Sequence, residues 1–149
     1  MNKILKIIAT ILIIFVVIFS CNKMISSKLK EDINNSPAME SFGAKMEIKN
    51  IAEMMSKQLP QSVDENTNAI KIEYLQNDNL LVFYYEVKNV TKEDIETNIS
   101  SLKSDQIKFI KTNPDNSVYL KAEVAFKYIY SNSNGEELGS YTILPSEYM

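Results

Sequence analysis

The sequence predicts an α+β two-layer sandwich: a four-stranded antiparallel sheet with helices on one face, in the order α-β-β-α-β-β. Three observations predict it. Apolar residues recur at three-and-four spacing in two segments and alternate in four others, and a turn cluster joins the two members of each strand pair.

From Ala44, the residues Ile48, Ile51, Ala52, Met55 and Leu59 line one face of a helix running to about Gln58, since the residue before Pro60 is pushed out of helical geometry. Met54 and Met55 read as core filler, because methionine packs irregular spaces. The following loop, LPQSVDENT, holds Asp64 and Thr67, whose side chains suit bonds to nearby backbone that brace a turn. Strand one, AIKIEYLQ, sends Ile70, Ile72 and Tyr74 to one side and Lys71 and Glu73 to the other. Asn77, Asp78 and Asn79 supply the hairpin turn, since Asn and Asp tolerate left-handed backbone angles. Strand two, LLVFYYEVKN, is the most apolar and so is placed centrally, with Leu81, Phe83, Tyr85 and Val87 inward and Val82, Tyr84 and Glu86 outward.

Thr91 and Asp94 have the spacing of a capping box with the acid one carbon short, and Ile95, Ile99 and Leu102 follow on one helical face. Ser104 or Asp105 offers a second cap, which predicts a break near residue 104, and Asn113-Pro114 ends the helical stretch. Strand three, YLKAEVAFKYIYS, alternates Leu120, Ala122, Val124, Phe126, Tyr128 and Tyr130 with Lys121, Glu123 and Lys127. The turn NSNG contains the strong hairpin pair Asn134-Gly135. Strand four, ELGSYTILP, returns with Tyr141 and either Ile143 or Leu138 inward and ends at Pro145.

The chain has 149 residues, 45% hydrophobic and 23% charged, enough to bury the core of one domain. Its division is residues 1–20 as signal peptide or membrane anchor, 21–43 as a tether, and 44–149 as the α+β domain. A net charge of -3, without a run of lysines, argues against nucleic acid as a partner. With no histidine and one cysteine, the serine-histidine triad, the cysteine-histidine pair and an internal disulfide are excluded. No metal or cofactor is expected. Gly43, Gly135 and Gly139 are not spaced to cradle a phosphate.

Lys3 and Lys6 precede Ile7–Phe19, a run of thirteen residues in which only Thr10 is polar. A basic start and a short apolar centre outline a secretory signal, whereas a membrane span takes about 20 apolar residues. Ile18-Phe19-Ser20-Cys21 resembles the lipobox of bacterial lipoproteins: Ile18 and Ser20 conform, while Phe19 is larger than usual at its position. The resemblance implies cleavage before Cys21 and lipid attachment to it, and Asn22, in place of the aspartate linked to inner-membrane retention, implies an outer-membrane destination in a Gram-negative cell. The other reading is an uncleaved helix with Cys21 at its edge. Under both, the membrane holds the chain and the body faces the periplasm or the cell exterior. Pro60, Asp64 and Thr67, ahead of a tyrosine-bearing strand, resemble a group of small bacterial envelope proteins without an assigned activity.

Of eight tyrosines, alternation turns only Tyr84 clearly away from the helices, and Tyr84, Val82 and Ile129 form the expected exposed strip for a protein partner. Glu73, Glu86 and Glu123 share the outward face, but they alternate with Lys71, Lys121 and Lys127, so charge pairing on a wet face accounts for them. No catalytic residue is assigned and no enzyme is expected. The functional expectation is an envelope accessory protein binding another envelope protein, in secretion, conjugation or surface exclusion; the alternative is a small-molecule or lipid-binding lipoprotein.

Overall fold

Pro37 opens the first helix of the computed structural model, which describes residues 37–149. The apolar run at 7–19, Cys21 and the stretch up to Ser36 lie outside the described residues. Helix α1 spans Pro37–Ser56, so it begins seven residues ahead of the expected Ala44; proline suits the first helical turn, where its missing N–H would have no partner. Strand β1, Gln61–Ser62, follows, then β2, Thr67–Leu75, and β3, Leu80–Val87. Helix α2 spans Lys92–Thr112, a 3₁₀ turn Pro114–Asn116, and helix α3 Ser117–Ala122. Strands β4, Ala125–Ser131, and β5, Glu137–Ile143, lead to the short helix α4, Pro145–Tyr148.

The α+β class and the helices on one face agree with the sequence, but the sheet does not. Among the described residues it has five strands in the order β1-β2-β3-β4-β5, and it is mixed rather than antiparallel, because β3 pairs with β4 in parallel. The reason is the connection: residues 88–124 cross back over the sheet as α2 and α3, so β4 starts at the end where β3 started. β1 is too short to show a period and escapes pattern reading.

The strand expected over 119–131 begins only at Ala125. Its first part is α3, where Tyr119 and Ala122 are buried three residues apart, a spacing that also fits alternation with one slip. Asn116 fixes this corner: its side-chain amide donates to the carbonyls of Phe109 and Ile110 at the end of α2. Glu123 then takes φ 50 and stops the helix, so Lys121 and Glu123 are not on the sheet's outer face. The break expected near residue 104 is absent. Buried Leu102, Gln106, Phe109 and Ile110 carry one helical face straight through it. The Thr91 cap is present in full, with the Asp94 amide donating to Thr91 Oγ1 at 3.1 Å and the Thr91 amide to Asp94 Oδ2 at 2.9 Å.

Three inward rows cross the sheet and make the core. Phe83, Tyr128 and Tyr141 are register partners on β3, β4 and β5, with ring centroids 5.1 and 4.9 Å apart and near-parallel planes. Tyr85 and Tyr130 stack in the next row, whose third member is Gly139; a Cβ there would stand 2.7 Å from Cγ2 of Ile95, so α2 comes this close only because the position is glycine. Leu81, Phe126 and Ile143 form the third row. Ile48, Ile51, Ala52 and Met55 of α1 and Tyr148 of α4 close the helical layer over them. Tyr148 donates to the Val124 carbonyl at 2.6 Å and meets Phe126 edge-on. Ile70, expected inward, is 39% exposed because a bulge between Ala69 and Lys71 shifts the alternation.

The loop after α1 is braced by the Asp64 side chain as its sequence indicates, but not by that of Thr67, whose buried hydroxyl has no hydrogen-bond partner among the described residues. Asp64 Oδ1 accepts from the Asn66 amide at 2.7 Å, and the Thr67 carbonyl accepts from the amides of Val63 and Asp64. Asn79, at φ 49, ties the β2–β3 turn to α3: its amide donates to the carbonyls of Ala122 and Glu123, both at 2.9 Å, and its Oδ1 accepts from the Tyr74 hydroxyl at 2.7 Å.

Candidate functional site

With the helices on one side, the other face of the sheet stays open among the described residues, and its side chains stand in cross-strand rows. One row is Lys71, Tyr84, Ile129 and Ser140; the next is Glu73, Val82, Lys127 and Thr142. A third begins with Asn68 and Glu86, where the Asn68 amide donates to Glu86 Oε1 at 3.1 Å.

The registers thus bring together the three residues that the sequence singles out for partner contact. Tyr84 and Ile129 sit side by side and half-buried, and Val82 lies one row away. Val82 itself is a correction: it is 2% accessible, not exposed. It is a short side chain in the middle strand, walled by Glu73 and Lys127 on the adjoining strands and by Tyr84 along its own, so it forms the floor of the strip.

Charge surrounds this apolar floor. Lys71 Nζ lies 2.8 Å from Glu73 Oε2 and 5.1 Å from the centre of the Tyr84 ring, and the Tyr84 hydroxyl donates to the same Glu73 oxygen at 3.2 Å. The hydrogen bond from Lys71 holds the Glu73 carboxyl below the usual carboxylate range, and the same bond raises Lys71. Partial burial and then the Glu73 charge push the Tyr84 hydroxyl up, so it stays a hydrogen-bond donor through the neutral range. Glu73 is paired with a lysine, although along its own strand rather than across the sheet, while Glu86 takes the neutral amide of Asn68 instead of a lysine. Chemically the face offers an aromatic and aliphatic strip with one fixed phenol donor and a rim of both charge signs, which are properties of a contact surface.

A second apolar surface was not apparent among the sequence's candidate sites. On the solvent side of α1, Phe42 is 60% exposed, Met46 38% and Met39 53%. Their three-and-four spacing is visible in the sequence, but it begins within residues read as tether. Among the described residues, no helix is long and apolar enough to cross a membrane, and no group of three or more metal-ligating side chains of the His, Cys, Asp and Glu type is assembled. Cys21 lies outside the described residues.

A family model described as a domain of unknown function (DUF8479) matches residues 43–139. No curated protein matches the sequence. Among solved structures, a Pseudomonas aeruginosa protein described as secreted is similar with a TM-score of 0.61 and 14% identity, over 78% of this chain and 100% of its own. The pilotin EpsS of the Vibrio vulnificus type 2 secretion system aligns with a TM-score of 0.54 and 12% identity, over 74% of this chain and 96% of its own. The type II secretion system pilotin AspS of Vibrio cholerae gives 0.53 and 13%, over 76% of this chain and 99% of its own. At these identities the likeness is one of fold.

Proposed function

This chain belongs to the DUF8479 family, and from that premise we propose that it is a non-enzymatic accessory protein of the bacterial cell envelope, held to a membrane at its amino-terminal end and binding another envelope protein in a secretion-type system. Cys21 carries the lipid, or the uncleaved apolar run serves as the anchor. Tyr84 and Ile129 meet the partner over the buried floor that Val82 supplies.

One observation carries the reading: the sheet face opposite the helices displays an apolar strip, Tyr84 beside Ile129 over Val82, rimmed by Lys71, Glu73 and Lys127. A face serving only as solvated surface needs no aromatic residue there, whereas tyrosine supplies rigid contact area at small entropic cost. The shared fold with two type II secretion pilotins supports a secretion-type system, because nearly the whole of each pilotin is matched.

The test is affinity capture from detergent-solubilised envelopes with a tag after Met149, which is 67% exposed. The wild-type chain is expected to recover one envelope protein reproducibly, and the double variant Tyr84→Ser, Ile129→Ser is expected to lose it while retaining the wild-type far-UV spectrum. Equal recovery by both chains would remove the strip from the reading, and no enriched envelope protein with wild type would remove the reading itself. Mass spectrometry of the mature chain, beside Cys21→Ala, distinguishes a lipidated Cys21 from a chain that still begins at Met1.

A further inference from the structure

We propose that the amino-terminal half of α1 rests on the lipid surface to which the chain is anchored, with Phe42 and Met46 entering the interfacial layer; this rests on the membrane-anchored reading above. Helix α1 already has a core-facing side, made of Ala44, Ile48, Ile51, Ala52 and Met55. Phe42 and Met46 are on its solvent side, so this half of the helix is apolar on two faces, a pattern that calls for a second apolar environment. Met39 continues the line.

Three features select a bilayer as that environment. The first is position. Among the described residues α1 is the element nearest the anchor in sequence, and Cys21 and Pro37 are sixteen positions apart, a stretch that reaches at most about 55 Å even when fully extended. The second is the gradient along the helix: beyond Met46 the solvent side continues as Asn50 and Glu53, so apolar exposure is confined to the anchor-proximal turns. The third is charge. Lys45 and Lys49 lie on either side of Met46, with Glu47 between them, and suit lipid phosphates, while Glu40, the acid of the first turn, is engaged by Lys121 at 2.6 Å.

The chain has no tryptophan, so a single introduced one reports its own surroundings. The full-length chain carrying Phe42→Trp, Met46→Trp or, as control, Ser100→Trp on the exposed face of α2 is reconstituted into phosphatidylethanolamine–phosphatidylglycerol vesicles with brominated acyl chains, and flotation is measured first. The proposal expects the chain to float with the vesicles, the Phe42→Trp and Met46→Trp emissions to shift to shorter wavelength and lose most of their intensity, and the Ser100→Trp emission to stay unquenched. Flotation with unquenched emission at both α1 positions, or with equal quenching at all three, overturns the contact and leaves the anchor standing. Failure to float overturns the anchor and the contact together. Because Phe42 and Met46 are both exposed, either reporter suffices if the other impairs folding.

Discussion

At the residue scale, two tyrosines of the core play opposite parts. Tyr148 donates to the buried carbonyl of Val124, whereas the Tyr128 hydroxyl, fully buried, has no hydrogen-bond partner among the described residues. Removing a satisfied donor costs about 1–3 kcal/mol when it strands its acceptor, and removing a desolvated, unpaired hydroxyl costs nothing of that kind. In urea denaturation, Tyr148→Phe is therefore expected to lose about 1–2 kcal/mol, and Tyr128→Phe to be neutral or slightly stabilising. A loss for Tyr128→Phe equal to that of Tyr148→Phe would refute this account. Residues that act through local backbone geometry were partly legible in the sequence: Thr91 and Asp94 form the expected cap and Asp64 braces its loop as its type suggests, whereas Thr67 contributes only its backbone carbonyl. Glu123 was not legible, because its left-handed angle is imposed by the turn from α3 into β4 and glutamate has no preference for it.

At the element scale, Gly139 controls how closely α2 approaches β5. An added Cβ would meet Cγ2 of Ile95, the stiff branch of a β-branched side chain, so the helix and strand must separate to admit it. Gly139→Ala is expected to cost about 1–3 kcal/mol, and a double-mutant cycle with Ile95→Ala should show coupling, since the smaller side chain vacates the space. Additive losses would mean that the contact does not set the spacing. Helices and strands were recognisable wherever one period ran alone. Sequence reasoning failed at 119–124, where three-residue and two-residue spacings both fit, and at residue 104, where Ser104 and Asp105 resemble a cap but the apolar face of α2 runs on unbroken. The first turns of α1 were overlooked for a different reason: Phe42 and Met46 face away from the core, so no buried stripe announces them.

At the scale of the whole molecule, titration should leave a wide plateau of stability with a decline at each end. The folded carboxyls of Glu73, Asp94 and Glu147 lie below their ordinary values, held there chiefly by bonds from Lys71, from the Thr91 backbone and from the Leu144 backbone respectively. The stability they lend is present above the ordinary carboxylate range of about 4 and disappears as pH falls through the lowered values. Burial raises the tyrosines of the inner rows, Tyr130 to about 12 and Tyr85, Tyr128 and Tyr141 also upward. Their contribution is complete below the unfolded value of about 10 and is lost as pH climbs above it, because the unfolded chain releases protons that the folded chain keeps. With no histidine, Tm should be nearly flat from about pH 6 to 9 and fall on both sides. A pronounced step within that window would contradict the assignment. The α+β class was legible at this scale, and the order of the sheet was not, since alternation reveals that a segment is a strand without revealing its neighbour. The parallel seam between Leu80–Glu86 and Ala125–Ser131 has one more consequence. Each hairpin is completed by nearby sequence, and within the sheet the two are joined along this line alone, so a rupture of the sheet at the seam would part it into two leaves. Each leaf would then bare a row of unmated amides and carbonyls with the same spacing as its lost partner, the geometry that exchange of the carboxyl-terminal leaf between two copies requires.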